Sequence, residues 1–206
     1  MSPRPDVSAE RRDQILDAAS KVFARFGLQR ARMDDIADAS NLSKGALYLY
    51  FKSKDDLIAA ILRRLYEHEL RALRAAHTDT GSASQQLLAL AGHAVGQVQQ
   101  LSILLPIWFE FYALAGRQRA VRQSLIGYFQ EYRTLLAALI QRGCDQGEFR
   151  PVDAEQTAIA FIALLEGVTL LWAVAPETFD VAAQARSSVR LLLAGIAASD
   201  SGPPPG

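Results

Sequence analysis

The sequence predicts an all-α fold of about nine helices, and three observations carry that expectation. Apolar residues recur three and four apart along almost the whole chain, the period of one helix face, and the period-two alternation of a half-buried strand is nearly missing. Gly27, Gly116, Gly147, Pro151 and Pro176 punctuate the periodic stretches, as residues that stop helices do. Half of the 206 residues are hydrophobic and 21% are charged, which is enough apolar material for a helical core.

The elements follow in order. Residues 1–8 form a polar arm expected to be disordered. The first helix runs over 9–26, with Ile15, Ala19, Val22, Phe23 and Phe26 on one face and Gly27 as its stop. Two short helices are expected at 33–39 and 43–50, separated by Ser40, Asn41 and Leu42. A fourth opens at Ser53, whose hydroxyl can cap it, and Asp55 and Asp56 suit its first turn. It continues through Leu57, Ile58, Ile61, Leu62 and Leu65 to about residue 76. The stretch 78–83 breaks the composition and marks the expected boundary between modules. Five helices lie beyond it, at 84–100, 102–115, 118–143, 153–175 and 178–198; the tail 199–206 is too rich in Pro and Gly to pack. The resulting division is a head at 9–52, a connecting helix at 53–76 and a body at 84–198.

The stretch from Met33 to Leu57 carries the chemistry. Two short helices joined by a tight turn make a helix-turn-helix, which reads DNA by laying its second helix in the major groove. Ile36 and Ala37 face inward, Ala37 being small enough for a close crossing, and Leu42 and Leu47 plug the corner. Ser43, Lys44, Gly45 and Ala46 then give the second helix an N-terminus free of bulk. Glycine inside a helix costs about 1 kcal/mol relative to alanine, so Gly45 invites a reason, and close backbone approach to DNA is one. Tyr48 and Tyr50 place hydroxyls near phosphates or bases, and Lys52 and Lys54 add charge beside the next helix N-terminus. Each has a plainer role open to it: Tyr48 in packing, the two lysines as solvated charges, Ser43 as a helix cap. Charge points the same way weakly. Residues 1–76 hold 14 Lys and Arg against 11 Asp and Glu, a balance of +3, and the rest of the chain carries −3.

At these residues the chain resembles the tetracycline-repressor (TetR-type) family of regulators, over about 50 residues from Ile15 to Ile61. The resemblance rests on Phe23–Gly27 (FARFG), Met33–Ala37 (MDDIA) and Ser43–Leu57 (SKGALYLYFKSKDDL). It implies a homodimer on a near-palindromic operator of double-stranded DNA, paired through the last two long helices, and a small-molecule effector bound among the middle helices. Carried over by position, Lys44, Gly45, Tyr48, Tyr50 and Lys54 correspond to DNA contacts, with Ser43 beside them. Arg32 stands where many members have a capping threonine; it cannot cap, but its charge can reach a phosphate. The aromatic pair often seen after Leu47 is here Tyr48 and Leu49.

In the body, the candidate effector residues are His93, Gln97, Trp108, Phe111, Tyr112, Tyr132, Phe161 and Glu166. Aromatic stripes at helical spacing are also what a plain core shows. Glu166 is harder to excuse, because a carboxylate among apolar neighbours is expensive unless paired. Glu110 has the same character on a helix that can turn it to solvent, and His68, between Glu67 and Glu69, reads as a solvated face. A hydrophobic effector, with room for positive charge, suits this lining.

Other classes are weighed against this reading. A DNA-binding regulator without an effector would show no ligand-dependent release. A helical enzyme would show turnover, but the sequence has no Cys/His cluster, H-E-x-x-H, G-x-S-x-G or phosphate-cradling glycine loop, so no catalytic residue, metal or cofactor is expected. The single cysteine, Cys144, allows no intrachain disulfide and fits a reducing, cytoplasmic setting, and the N-terminus has no apolar signal-like run. Residues 157–176 are apolar apart from Glu166, and are expected to be a core or dimer helix rather than a membrane span.

Overall fold

The computed structural model describes residues 7–78, 80–100 and 105–198. Within them lie nine α-helices and no strand: α1 (Val7–Arg30), α2 (Met33–Ala39), α3 (Lys44–Tyr50), α4 (Lys54–Thr78), α5 (Ala83–Gln100), α6 (Leu105–Ala115), α7 (Arg119–Asp145), α8 (Ala154–Val174) and α9 (Val181–Ile196). The all-α expectation holds. Residues 7 and 8, assigned by sequence to the arm, open α1; the tail at 199–206 lies outside the described residues.

The first helix does not end at Gly27. Gly27 has φ 75° and ψ 159°, so regular helix breaks there, as a glycine in the left-handed region allows. The chain then takes one more turn, closed by the Ala31 N–H on the Gly27 carbonyl at 3.2 Å. The kink leaves the Leu28 N–H without a helical acceptor, and the Glu110 carboxylate of α6 accepts it at 2.7 Å. Glu110 is therefore half-buried and bonded rather than turned to solvent.

Two compact units form, Met1–Glu67 with Leu101–Gly127, and His68–Gln100 with Tyr128–Gly206. In the first, α1 packs on α2 and α6, and α2 on α3. Ile15, Phe23, Leu28, Ile36, Leu47, Leu57, Ile61, Leu62 and Phe111 are almost wholly buried and make its core. In the second, α5, α8 and α9 pack on one another, around Leu87, Ala91, Phe161, Ala185 and Val189. Asp153 and Asp180 cap α8 and α9 by accepting backbone N–H groups of Gln156, and of Ala182 and Ala183.

One loop closes the second unit. Gly147, at φ 75°, turns the chain after α7, with the Glu148 N–H on the Gly143 carbonyl at 2.9 Å. Glu148 then serves the N-terminus of α5: its carboxylate accepts the Ser82 hydroxyl at 2.7 Å and the N–H groups of Ala83 and Ser84 at 2.8 and 3.1 Å. Burial pushes this carboxyl up, but those hydrogen bonds and the nearby Arg142 charge outweigh it and hold it below the usual range. Phe149 follows, 3% exposed, pairing with Ala197 beyond α9.

Among the described residues α8 is the one helix long and apolar enough to cross a bilayer. Its stripe of Ala158, Phe161, Leu165 and Val168 is buried. Its other side is apolar too, and stays uncovered: Ile159, Leu170, Leu171 and Val174 are exposed, as is Leu191 on α9.

Candidate functional site

The head is built around the turn between α2 and α3. Asn41 adopts φ 54°, a conformation asparagine tolerates better than most residues, because its short polar side chain bonds locally. That single left-handed residue lets the Asn41 N–H reach the Asp38 carbonyl at 3.1 Å and the Leu42 N–H reach the Ala37 carbonyl at 2.9 Å, which closes α2 and reverses the chain. Ser40 assists with its buried hydroxyl on the Ile36 carbonyl at 2.7 Å. Ser43 then caps α3 by accepting the Ala46 N–H at 3.2 Å. Leu47, fully buried, fixes α3 to the core and leaves its opposite side in solvent.

That free side carries the sequence candidates. Ser43, Lys44, Gly45 and Tyr48 are exposed, and Leu49 between the tyrosines is 77% exposed. A methyl group built on Gly45 would meet no atom within 4 Å, so nothing inside the protein requires a glycine there. The Lys44 ammonium lies 2.7 Å from the Asp34 carboxylate of α2, and that hydrogen bond raises its pKa. The lysine is thus charged and lightly held. Lys52 is exposed, its ammonium on the Tyr48 carbonyl at 3.2 Å. Arg32 is exposed just before α2; its backbone N–H donates to Asp35 at 2.9 Å and its side chain makes no cap bond.

Two of the candidates have structural duties as well. Lys54 donates to the carbonyls of Gln29 and Ala31, at 3.1 and 3.2 Å, closing the last turn of α1 with a cation where the helix dipole favours one. Tyr50 is half-buried and its carbonyl accepts from Arg12 at 3.2 Å, whose guanidinium also stands 4.5 Å over the Phe51 ring. Arg12 was not singled out from sequence, and nothing in its spacing distinguishes it.

A Lys44 that contacts phosphate has to leave Asp34, its partner in the free head; Asp34→Asn is then expected to raise affinity for random-sequence DNA several-fold. Anisotropy titration of a random duplex reads this. An unchanged affinity would mean that the ion pair in the free head does not restrain Lys44.

The effector candidates divide between the two units. In the first, Phe111 is buried to 1%, and Trp108 stands edge-on to Tyr66 at 5.2 Å and to Tyr112 at 6.5 Å. In the second, Phe161 is fully buried in the core. His93 is exposed and stacked on His68 at 5.2 Å, and Gln97 hydrogen-bonds the His68 ring. The charge of Glu166 acts on Tyr132, as does that of Glu69, which the sequence reads as part of a solvated face. Glu69 of α4 accepts the Tyr128 hydroxyl at 2.7 Å. The helical period could have revealed it, because Glu69 falls on the stripe of Leu62, Tyr66 and Leu73, all buried.

Burial pushes the Glu69 carboxyl up to about 7; the Tyr128 hydrogen bond opposes this and the negative charge of Glu166 adds to it. Tyr132 is pushed up as well, first by burial and then by the charges of Glu69 and Glu166. The folded protein therefore keeps on Glu69 a proton that the unfolded chain gives up near its ordinary value of 4.5. Stability present below that value is lost as pH rises towards about 7 and then levels off. Urea midpoints from about pH 5 to 8 are expected to fall with rising pH in the wild type relative to Glu69→Gln, with the difference confined to that window. Parallel curves would show that Glu69 titrates as it does in the unfolded chain.

Comparison with known proteins matches these features. A family model for bacterial regulatory proteins, tetR family, fits residues 15–61, and one for the BetI-type transcriptional repressor C-terminal region fits residues 83–198. An uncharacterized HTH-type transcriptional regulator of Bacillus subtilis, YfiR, is 31% identical over 166 residues, covering 76% of this chain and 78% of its own. The HTH-type transcriptional regulator TtgR of Pseudomonas putida is 29% identical over 184 residues, covering 85% and 86%. Among solved structures, the complex of SmeT, from Stenotrophomonas maltophilia, with triclosan superposes with a TM-score of 0.82 at 22% identity, over 96% of each chain. With the head and the body each fitted by a model of this kind, the chain belongs to the tetR family of DNA-binding transcriptional regulators and is not an enzyme.

Proposed function

We propose that the protein is a ligand-responsive repressor that binds a palindromic operator as a homodimer and is released by a small hydrophobic effector. The observation that carries the DNA-reading part is the open N-terminus of α3, where Ser43, Lys44, Gly45 and Tyr48 stand in solvent and no atom crowds Gly45. Lys52 and Arg32 flank it as phosphate contacts, and Lys54 and Tyr50 support the frame behind it. A second copy is the natural cover for Leu170, Leu171, Val174 and Leu191, since apolar groups clustered on two neighbouring helices mark an association surface. Two reading heads related by a twofold axis then match two half-sites. The effector part is supported by the cluster of Glu69, Tyr128, Tyr132 and Glu166, and by the triclosan seen on SmeT. A ligand that binds one arrangement of the heads better than the other shifts operator affinity by that difference.

The test is fluorescence anisotropy of a labelled duplex from the gene's own upstream region, or of one selected from random duplexes. Affinity is expected to fall about a hundredfold between roughly 50 and 200 mM salt if four phosphates are neutralised. Lys44→Ala is expected to lower the slope of log affinity against log salt by about two across the dimer. Leu171→Glu is expected to give a monomer in sedimentation. Lysine-independent binding, or a Leu171→Glu protein that stays dimeric, would overturn the corresponding part.

A further inference from the structure

We propose that Arg12 is a positioning residue for sequence recognition: from α1 it holds the C-terminal end of α3 and so sets the tilt at which the other end of that helix meets a base pair. This rests on the reading of α3 as the helix laid in the major groove, and it gives a duty to a side chain that acts through α3 rather than on DNA itself.

The inference starts from how short α3 is. Its seven residues are too few for a helix to persist alone, and the carbonyls of its last turn have no partners inside it. The Leu47 carbonyl is taken by the Phe51 N–H at 3.1 Å. Those of Tyr48 and Tyr50 are taken by cations, the Lys52 ammonium and the Arg12 guanidinium, each at 3.2 Å. The last turn of α3 carries no basic residue of its own, so the positive charge that a helix C-terminus favours comes from outside. Lys52 follows α3 directly in the chain and moves with it. Arg12 lies 38 positions from Tyr50, on another helix, and ties the end of α3 to that helix.

The tie has a firm base and two attachments. Arg12 stands one turn before Ile15 and Leu16, both buried, and Asp17 of the same helix pairs with Arg64 of α4 at 2.8 Å. The guanidinium bonds the Tyr50 carbonyl and stands 4.5 Å over the ring of Phe51, which is only 2% exposed. Holds on two successive residues fix direction as well as place. With Leu47 fully buried near the middle of α3, a second hold one turn on stops the helix rocking about that point. A tilt of about 15° about Leu47 would move the Lys44 backbone by roughly 1 Å, given the helical rise. Hydrogen bonds to base edges are lost over such a shift, whereas attraction to a phosphate charge hardly changes. Arg12 therefore serves discrimination between sequences, not affinity for DNA in general.

The experiment is anisotropy titration of the full chain with two labelled duplexes, an operator selected from random duplexes by the wild type and a scrambled duplex of equal length and composition. Arg12→Gln keeps a good helix former at that position and removes the charge. It is expected to lower operator affinity about tenfold, leaving scrambled-duplex affinity within twofold and the salt slope unchanged. Arg12→Lys, which keeps a donor and the charge, is expected to return operator affinity to within about threefold of wild type. Hydrogen exchange in the free proteins reads the cause: the Phe51 amide is expected to exchange several-fold faster in Arg12→Gln, with the Leu62 amide, deep in α4, unchanged. Operator affinity within twofold of wild type, or a Phe51 amide that exchanges no faster, would overturn the proposal. So would an equal loss on both duplexes with the salt slope lowered by about two across the dimer, the mark of a phosphate contact. Should Arg12→Gln not fold, Phe51→Leu removes the ring while keeping the core filled; it is expected to lose operator affinity several-fold and selectively, and an unselective change would overturn the proposal as well. If the wild type itself prefers no duplex, the groove-reading role of α3 falls and Arg12 with it. If the wild type discriminates and Arg12→Gln does so equally, only the role of Arg12 falls.

Discussion

Replacing Gly45 with alanine is expected to stabilise the protein by about 0.5–1 kcal/mol and yet to weaken operator binding by about ten- to a hundredfold per head. The gain follows from helix propensity: alanine loses less backbone freedom on folding, and the added methyl meets no atom within 4 Å. The loss follows from what lies outside. At the second residue of α3 the backbone itself can approach the DNA, and a methyl group there overfills a closed interface, at about 1–3 kcal/mol. Opposite signs for stability and binding are the diagnostic. Thermal unfolding and operator anisotropy on the same preparation would show them. If the alanine protein bound its operator within threefold of wild type, Gly45 would have no part in the approach.

Gly143→Ala is expected to destabilise the second unit by about 2–4 kcal/mol, for the reverse reason. A methyl at Gly143 would lie 2.3 Å from two carbons of the Phe149 ring and 3.0 Å from the Ala83 methyl. The ring has no easy retreat. Its backbone N–H is on the Gly143 carbonyl at 3.1 Å, and the flanking Arg150 and Ala198 N–H groups are bonded to Ile196 and Glu148 at 2.9 and 3.0 Å. Either the loop leaves the end of α9 or the Phe149 ring leaves the core, and both cost buried area. Urea unfolding measures the loss, and Gly143→Ala combined with Phe149→Leu is expected to recover part of it by making room. A single variant as stable as wild type would show that the loop yields freely.

Helices and their breaks were legible because each has a local cause. The 3.6-residue period, the Ser53 cap and the Asn41 turn are written in residues close together in sequence, so the head could be read almost residue by residue. What escaped is long-range. Glu148 serves the start of α5 from about 65 positions away, and Glu110 serves Leu28 from 82. No local pattern announces such partners. The helix carrying Glu110, LPIWFEFYALA, is apolar nearly all round, so its sequence marks no preferred face and does not foretell its place beside α1. Lys54 shows a subtler limit, since its charge was evident and its carbonyl partners were not. Glu69 differs from all of these: the period placed it on the buried stripe, and its charge alone led to its being read as solvated.

The bond from Leu28 to Glu110 has a mechanical meaning. A kinked helix normally holds its bend with water or with its own side chains; here the bend in α1 is held by a carboxylate borrowed from α6. Shifting α6 withdraws that acceptor and strands a partly buried amide, at a cost of about 1–3 kcal/mol. The final turn of α1, whose Gln29 carbonyl also accepts from Lys54 at the start of α4, then loses its anchor at one end. The kink behaves as a latch whose keeper sits on another helix, and slower amide exchange at Leu28 would report, from a single hydrogen, that the latch is shut.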